Sequence, residues 1–162
     1  MDDILFALTL FSAIGSGVVA GAFLAFSTFV MKALGRLPAP QGIAAMQSIN
    51  IAVINPWFMT ALFAPALTCI ALAVLSAIDW NEPEVFYHLA GGVLYVFGTI
   101  IVTIAFNVPR NDALASVEPD SAAGADLWRR YLSEWTAWNR VRTFAALAAA
   151  ATLTIGVYLA GD

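Results

Sequence analysis

Charge is what this chain has least of. Of its 162 residues only 11% are Asp, Glu, Lys or Arg, where ordinary soluble domains carry about 25%. Seven Lys and Arg stand against eleven Asp and Glu, a formal net charge of −4. No basic footprint for a phosphate backbone exists, which excludes a nucleic-acid partner. The chain has one cysteine, Cys69, so an internal disulfide framework and a multi-cysteine metal site are excluded. It has one histidine, His88, too few for a histidine metal site without nearby carboxylates or thiolates.

What fills the space is apolar: 61% of the residues are hydrophobic, and the mean hydropathy is +0.83. Uncharged runs occupy Ile4–Met31, Pro56–Ile78, Leu89–Val108 and Phe144–Ala160. About 20 apolar residues cross a hydrocarbon core as a helix, and backbone groups in lipid must pair within the segment. The alternating pattern of a membrane barrel strand is absent. The expected fold is all-α, a single-domain polytopic membrane protein whose antiparallel four-helix bundle spans about 4–31, 56–78, 88–108 and 143–160. The first run follows Met1-Asp2-Asp3, acidic where a secretion signal is basic, so it reads as a retained helix.

All seven basic residues lie in two connections, 32–55 and 109–142 with its helix-4 lead-in: Lys32 and Arg36 in the first, Arg110, Arg129, Arg130, Arg140 and Arg142 in the second. The positive-inside tendency puts both connections in the cytoplasm and both termini outside, in a bacterial inner membrane. The turn Asp79-Trp80-Asn81-Glu82-Pro83-Glu84 is acidic, as suits the outer side.

Within the first connection, Pro38–Gly42 breaks the chain and Ile43–Ile54 has helical spacing. In the second, Asn107–Asn111 reads as a helix end and Glu118–Ser121 as a turn with an N-cap. From Ala123 the pattern is helical. Trp128, Tyr131, Trp135, Trp138 and Arg142 recur at spacings of three and four on one face, so the last helix begins well before its uncharged run.

Three patterns lie inside the spans. Ala13, Gly17, Gly21 and Ala25 make a small-residue stripe, matched by Ala148, Thr152, Gly156 and Ala160. Such stripes let helices approach closely, within the bundle or between copies in a homo-oligomer through Gly17 and Gly21. Tyr95, Thr99, Thr103 and Asn107 repeat every four residues, a polar line that belongs inside the bundle or along a cavity. His88 has Glu84 one turn before it, the spacing of an outer-surface hydrogen bond.

In an antiparallel bundle the cytoplasmic end gathers Asn50 and Asn55 before helix 2, and Asn107 and Asn111 closing helix 3. It also gathers Trp135, Trp138, Asn139 and Arg142 opening helix 4. Amides, indoles and one guanidinium suit a flat aromatic or phenolic ligand, with Arg142 facing an anion. The same residue types also serve as helix caps, interface anchors and partners of lipid phosphates.

Four segments together resemble the DUF1772, or anthrone oxygenase-like, family of small four-helix membrane proteins. They are Gly21-Ala22-Phe23 with Phe26-Ser27, Met46–Asn50, Asn107-Val108-Pro109-Arg110-Asn111-Asp112-Ala113-Leu114, and Trp128–Arg142 with its Trp138-Asn139-Arg140-Val141-Arg142 core. The resemblance implies a hydrophobic aromatic substrate, molecular oxygen as co-substrate and no metal or flavin cofactor. Asn139 and Arg142 are then the candidate catalytic pair, and Asn50, Asn55, Asn107, Asn111, Trp135 and Trp138 the ligand-binding set. Similar members often carry His where Arg140 stands, which leaves Asp112 as the nearest carboxylate in sequence to act as base. Two further readings stand beside oxygenation: a non-catalytic assembly or partner-binding protein, and a small transporter of hydrophobic molecules.

Overall fold

The computed structural model describes residues 3–76, 82 and 84–160. Every regular element in it is helical: α1 (Asp3–Ala25), α2 (Met31–Leu34), α3 (Ala39–Ala52), α4 (Pro56–Ser76), α5 (Glu84–Tyr95), α6 (Val108–Ala115) and α7 (Ala122–Leu159). Three π-helical segments, Phe26–Val30, Val96–Ile101 and Thr103–Asn107, join α1 to α2 and α5 to α6 without breaking either rod. Four rods, Asp3–Leu34, Pro56–Ser76, Glu84–Ala115 and Ala122–Leu159, are long and apolar enough to span a membrane. Of the acidic turn at 79–84, only Glu82 and Glu84 are described.

Hydrogen bonds fix the directions. Asn139 meets Phe23 and Ser27, while His88 meets Thr9 and abuts Gly156, so α1 and α7 run antiparallel. Tyr95 donates to the Leu62 carbonyl and Ser76 meets His88, which sets α4 against α5. The helices thus form a ring in the order α1, α4, α5, α7. The surface is apolar in the manner of a lipid-facing protein: Trp57 is 88% exposed, Phe86 71% and Phe144 69%.

Between helices in lipid there is little hydrophobic driving force, so close packing decides the contacts. On the first rod the glycine that allows it is Gly15, not Gly17 or Gly21. A Cβ at Gly15 collides with the Pro65 ring, one at Gly98 with Ala145, and one at Gly91 lies 2.6 Å from Leu153. Gly17 and Gly21 have nothing within 4 Å. Ala13 and Ala20 of α1 share the buried core with Ala146 and Ala149 of α7, while Leu153 and Gly156 of α7 lie against Gly91 and His88 of α5. Gly15→Leu is therefore expected to lower the melting temperature in detergent by about 5–10 °C. Gly17→Leu is expected to leave it unchanged; tryptophan-fluorescence melts distinguish the two.

The third rod corrects one expectation. Asn107–Asn111 does not end it: the helix runs on to Ala115. Pro109 cannot donate to the carbonyl four residues back, and the π-helical segment just before it re-spaces the ladder so that the rod survives. The N-cap holds, since the Ser121 hydroxyl accepts from the Gly124 amide at 2.9 Å. The first two-fifths of α7 form a second core with Met31, Leu34, Ile43, Met46 and Leu114, into which Trp128, Tyr131 and Trp135 insert. α3 closes over this core: Gly42 lies under Trp128, where a Cβ meets the indole at 2.8 Å. Gln47 ties α3 to α6 through the Leu114 and Val117 carbonyls.

Candidate functional site

All seven basic residues lie toward one end of the bundle, and there the interior turns polar. Asn139 is fully buried on α7. Its Nδ2 donates to the Phe23 carbonyl at 2.8 Å and to Ser27 Oγ at 2.7 Å. Its Oδ1 accepts from Arg142 Nη2 at 2.7 Å. Arg142 also donates from Nη1 to Thr103 Oγ1 at 3.0 Å. The guanidinium carbon stands 4.1 Å from the centre of the Phe23 ring and 5.3 Å from that of Trp135, a double cation–π contact.

Two of the π-helical segments supply the partners. Ser27 belongs to Phe26–Val30, and Thr103 and Asn107 belong to Thr103–Asn107. Each widened turn aims a polar side chain at Asn139, Arg142 or the α7 backbone, in keeping with the frequency of π-bulges at functional sites.

Among the described residues the cation has no counter-ion. Arg142 is 5% exposed, and neither ion pair among the described residues involves it. An ionised side chain taken from water without a carboxylate costs several kcal/mol even after relaxation. Its Nε, moreover, has no acceptor. Three other residues at this end show the same shortfall among the described residues: Asn107 Oδ1, Asn50 Nδ2 and Thr136 Oγ1 are buried without a partner. Asn107 Nδ2 donates to the Trp135 carbonyl at 3.2 Å. Asn50 lies against the Tyr131 hydroxyl.

Around this centre the aromatic face is stacked. Trp128, Tyr131 and Trp135 follow one another with ring centres 5.6 and 5.9 Å apart and nearly parallel planes. Asn111 Oδ1 accepts from Tyr131 Oη and from Trp135 Nε1, both at 2.8 Å. Trp138 stacks on Phe106 with ring centres 3.6 Å apart.

The sequence-derived set therefore divides. Asn139, Arg142, Asn107, Asn111 and Trp135 are joined directly or through one shared partner, and Asn50 reaches them through Tyr131. Asn55 is engaged locally: its Oδ1 caps α4 at the Phe58 amide, 3.0 Å, and its Nδ2 bonds the Ala52 carbonyl. Trp138 pairs with Phe106 instead of with the polar centre. Asp112 is exposed, with no bond toward Arg142. The sequence marks Thr103 as part of the inward polar line and Phe23 and Ser27 as part of the resembling segments, but it does not join any of the three to Asn139 and Arg142, which the packing does.

His88 is not at the surface. It is 1% exposed, with Nε2 3.0 Å from Thr9 Oγ1 and Nδ1 2.9 Å from Ser76 Oγ. It lies at the other end of the bundle from Arg142.

Two grooves flank the polar centre. One, about 200 Å³, runs between α6 and α7 with Pro109, Ala113 and Leu127 in its walls and Tyr131 lining it. Arg110 and Glu134, paired at 2.9 Å, also line this groove. The other lies between α1 with its π-helical extension and α7.

A family model described as anthrone oxygenase matches residues 56–152, more than half the chain. No curated protein and no solved structure matches significantly.

Proposed function

The chain belongs to the anthrone oxygenase family, DUF1772, and from that premise we propose that it binds a flat, acidic aromatic molecule at Arg142 and oxygenates an anthrone-like substrate without a cofactor. One observation carries the reading: a guanidinium buried in the bundle with aromatic rings over it and no carboxylate beside it. Such a cation is stabilised by an anion that arrives from outside. A phenolate or enolate fits, because its ring can join the Tyr131–Trp135 stack while its oxygen meets the free Nε and the Asn50 amide nitrogen, and the free Asn107 Oδ1 accepts from a second hydroxyl of the ligand. The α6–α7 groove is the proposed way in, since Tyr131 lines it and Trp135 stands between Tyr131 and the guanidinium.

The chemistry balances without a protein redox group. An anthrone methylene loses a proton to water, and the resulting anion is held by Arg142. The electron-rich carbon transfers an electron to dioxygen, the radical pair joins as a peroxide, and loss of water leaves a quinone carbonyl. One substrate and one O₂ give one quinone and one H₂O. The protein supplies charge stabilisation and orientation, and the substrate supplies the electrons.

The bundle is proposed to sit in a bacterial inner membrane with its basic end in the cytoplasm and both termini outside. Labelling of single cysteines placed near Asn81 and near Pro119 in a Cys69-free background reads the sides. Assembly through α1 is a second reading, favoured by the open space beside Gly17 and Gly21. A monomer by light scattering in detergent would overturn it.

Oxygen uptake by metal-stripped protein with anthrones, corrected for autoxidation, tests the main reading. Wild-type protein is expected to consume one O₂ per anthrone. Asn139→Asp, which gives Arg142 an internal carboxylate, is expected to lower uptake at least tenfold. No uptake above background, with no saturable quenching of tryptophan fluorescence by the anthrone, overturns the proposal.

A further inference from the structure

The second groove has a different character, and we infer that it holds an anionic phospholipid. It measures about 280 Å³ and opens on the outside of the bundle between the first rod and α7. Its cations are Lys32 from the first rod and Arg140 from α7. Both are exposed, and neither forms an ion pair among the described residues. Arg110 and Arg129, by contrast, have Glu134 and Asp126. In a chain of net charge −4, two cations from different helices share one groove with no internal anion to meet them.

The walls are Leu24, Phe144 and Leu147, all substantially exposed. They continue along α7 into Phe144–Leu159, which carries no charge, so the apolar side of the groove lies at membrane depth. An occupant must then be amphiphilic, with its anion at the cations and its chain along the walls.

The floor decides where the head group sits. Thr143 donates its hydroxyl hydrogen to the Asn139 carbonyl and Thr28 donates its own to the Leu24 carbonyl, at 2.8 and 2.7 Å. Ser27 and Thr143 are 3.1 Å apart, so the hydrogen between them comes from Ser27. Every hydroxyl hydrogen in the floor is thus used inside the protein. The floor offers a phosphate no donor, and recognition of the anion falls to Lys32 and Arg140. The satisfied floor accepts an acyl chain at no polar cost. The proposal stands independently of the oxygenase reading, although a lipid here packs on the Ser27 that holds Asn139.

The test is native mass spectrometry of delipidated full-length protein in an uncharged detergent, with phosphatidylglycerol and phosphatidylcholine of identical chains. Wild type is expected to retain one phosphatidylglycerol with at least tenfold preference over phosphatidylcholine. Lys32→Gln with Arg140→Gln is expected to abolish the preference. Arg36→Gln with Arg130→Gln, which removes the same charge outside the groove, is expected to keep it. Equal retention of the two lipids by wild type, or equal loss in both double variants, overturns the proposal. Displacement of the lipid by an equal concentration of glycerol 3-phosphate overturns it as well, by showing a site for a free phosphate.

Discussion

Arg142→Met is expected to yield a folded bundle that melts no more than about 3 °C below wild type and binds anthrone-like phenols at least 100-fold more weakly. Two opposing effects set the stability. Removing the guanidinium returns a desolvation cost of several kcal/mol, because no carboxylate repays it. Against this, Asn139 Oδ1 and Thr103 Oγ1 each lose a donor. Leaving a buried acceptor unpaired costs about 1–3 kcal/mol, so the two terms nearly cancel. Methionine keeps most of the volume between Phe23 and Trp135. Binding has no such compensation. A charge-assisted hydrogen bond contributes about 1.5–3 kcal/mol, and the Coulomb attraction adds to it, which together exceed the roughly 2.7 kcal/mol of a hundredfold change. Titration by tryptophan quenching and a thermal melt on the same sample read both quantities. A melting temperature lowered by 10 °C or more, with affinity unchanged, would make Arg142 a structural residue and remove the basis of the site.

Much of this arrangement was legible in the sequence because hydropathy and helical spacing act locally. The four uncharged runs mark the rods, Ser121 marks the start of α7, and the aromatic spacing from Trp128 to Arg142 puts those side chains on one buried face. What escaped depends on contacts between distant segments or on small changes of register. A π-helical turn inserts one residue into the helical repeat, so Ser27 points where a regular helix would not aim it. Pro109 gives a local reason for Thr103–Asn107; Phe26–Val30 contains no proline or glycine to signal the other. The glycine stripe leaves packing within the bundle and packing between copies both open for a related reason. A helix apolar all round, as α1 is, does not reveal which side faces its neighbours and which faces lipid. Gly15 meets Pro65, which is fifty residues away in the chain, and only the folded packing shows it.

Sequence spacing pairs His88 with Glu84 at the outer surface, but its partners come from α1 and α4, and the prediction that follows is the largest for stability. Thr9 donates its hydroxyl hydrogen to the Leu5 carbonyl at 2.7 Å, so toward His88 it can only accept. The histidine therefore carries its hydrogen on Nε2, and Nδ1 accepts from Ser76. One ring thus bridges α1 and α4 from α5, with Gly156 of α7 leaving it room. His88→Ala removes a fully buried ring whose backing is rigid helix. The resulting cavity and the lost hydrogen bonds are expected to cost about 2–4 kcal/mol. Ser76 can turn its hydrogen to a carbonyl of its own helix, which limits the loss to that range. For a chain of this length that is a fall of roughly 5–15 °C in melting temperature. Thr9→Val, which orphans only Nε2–H, is expected to cost about 1–3 kcal/mol. Neither change is expected to alter ligand affinity at Arg142, which lies at the opposite end of the bundle. Unchanged melting with altered affinity would instead place His88 in the function of the polar centre, and the helices between them would have to transmit it.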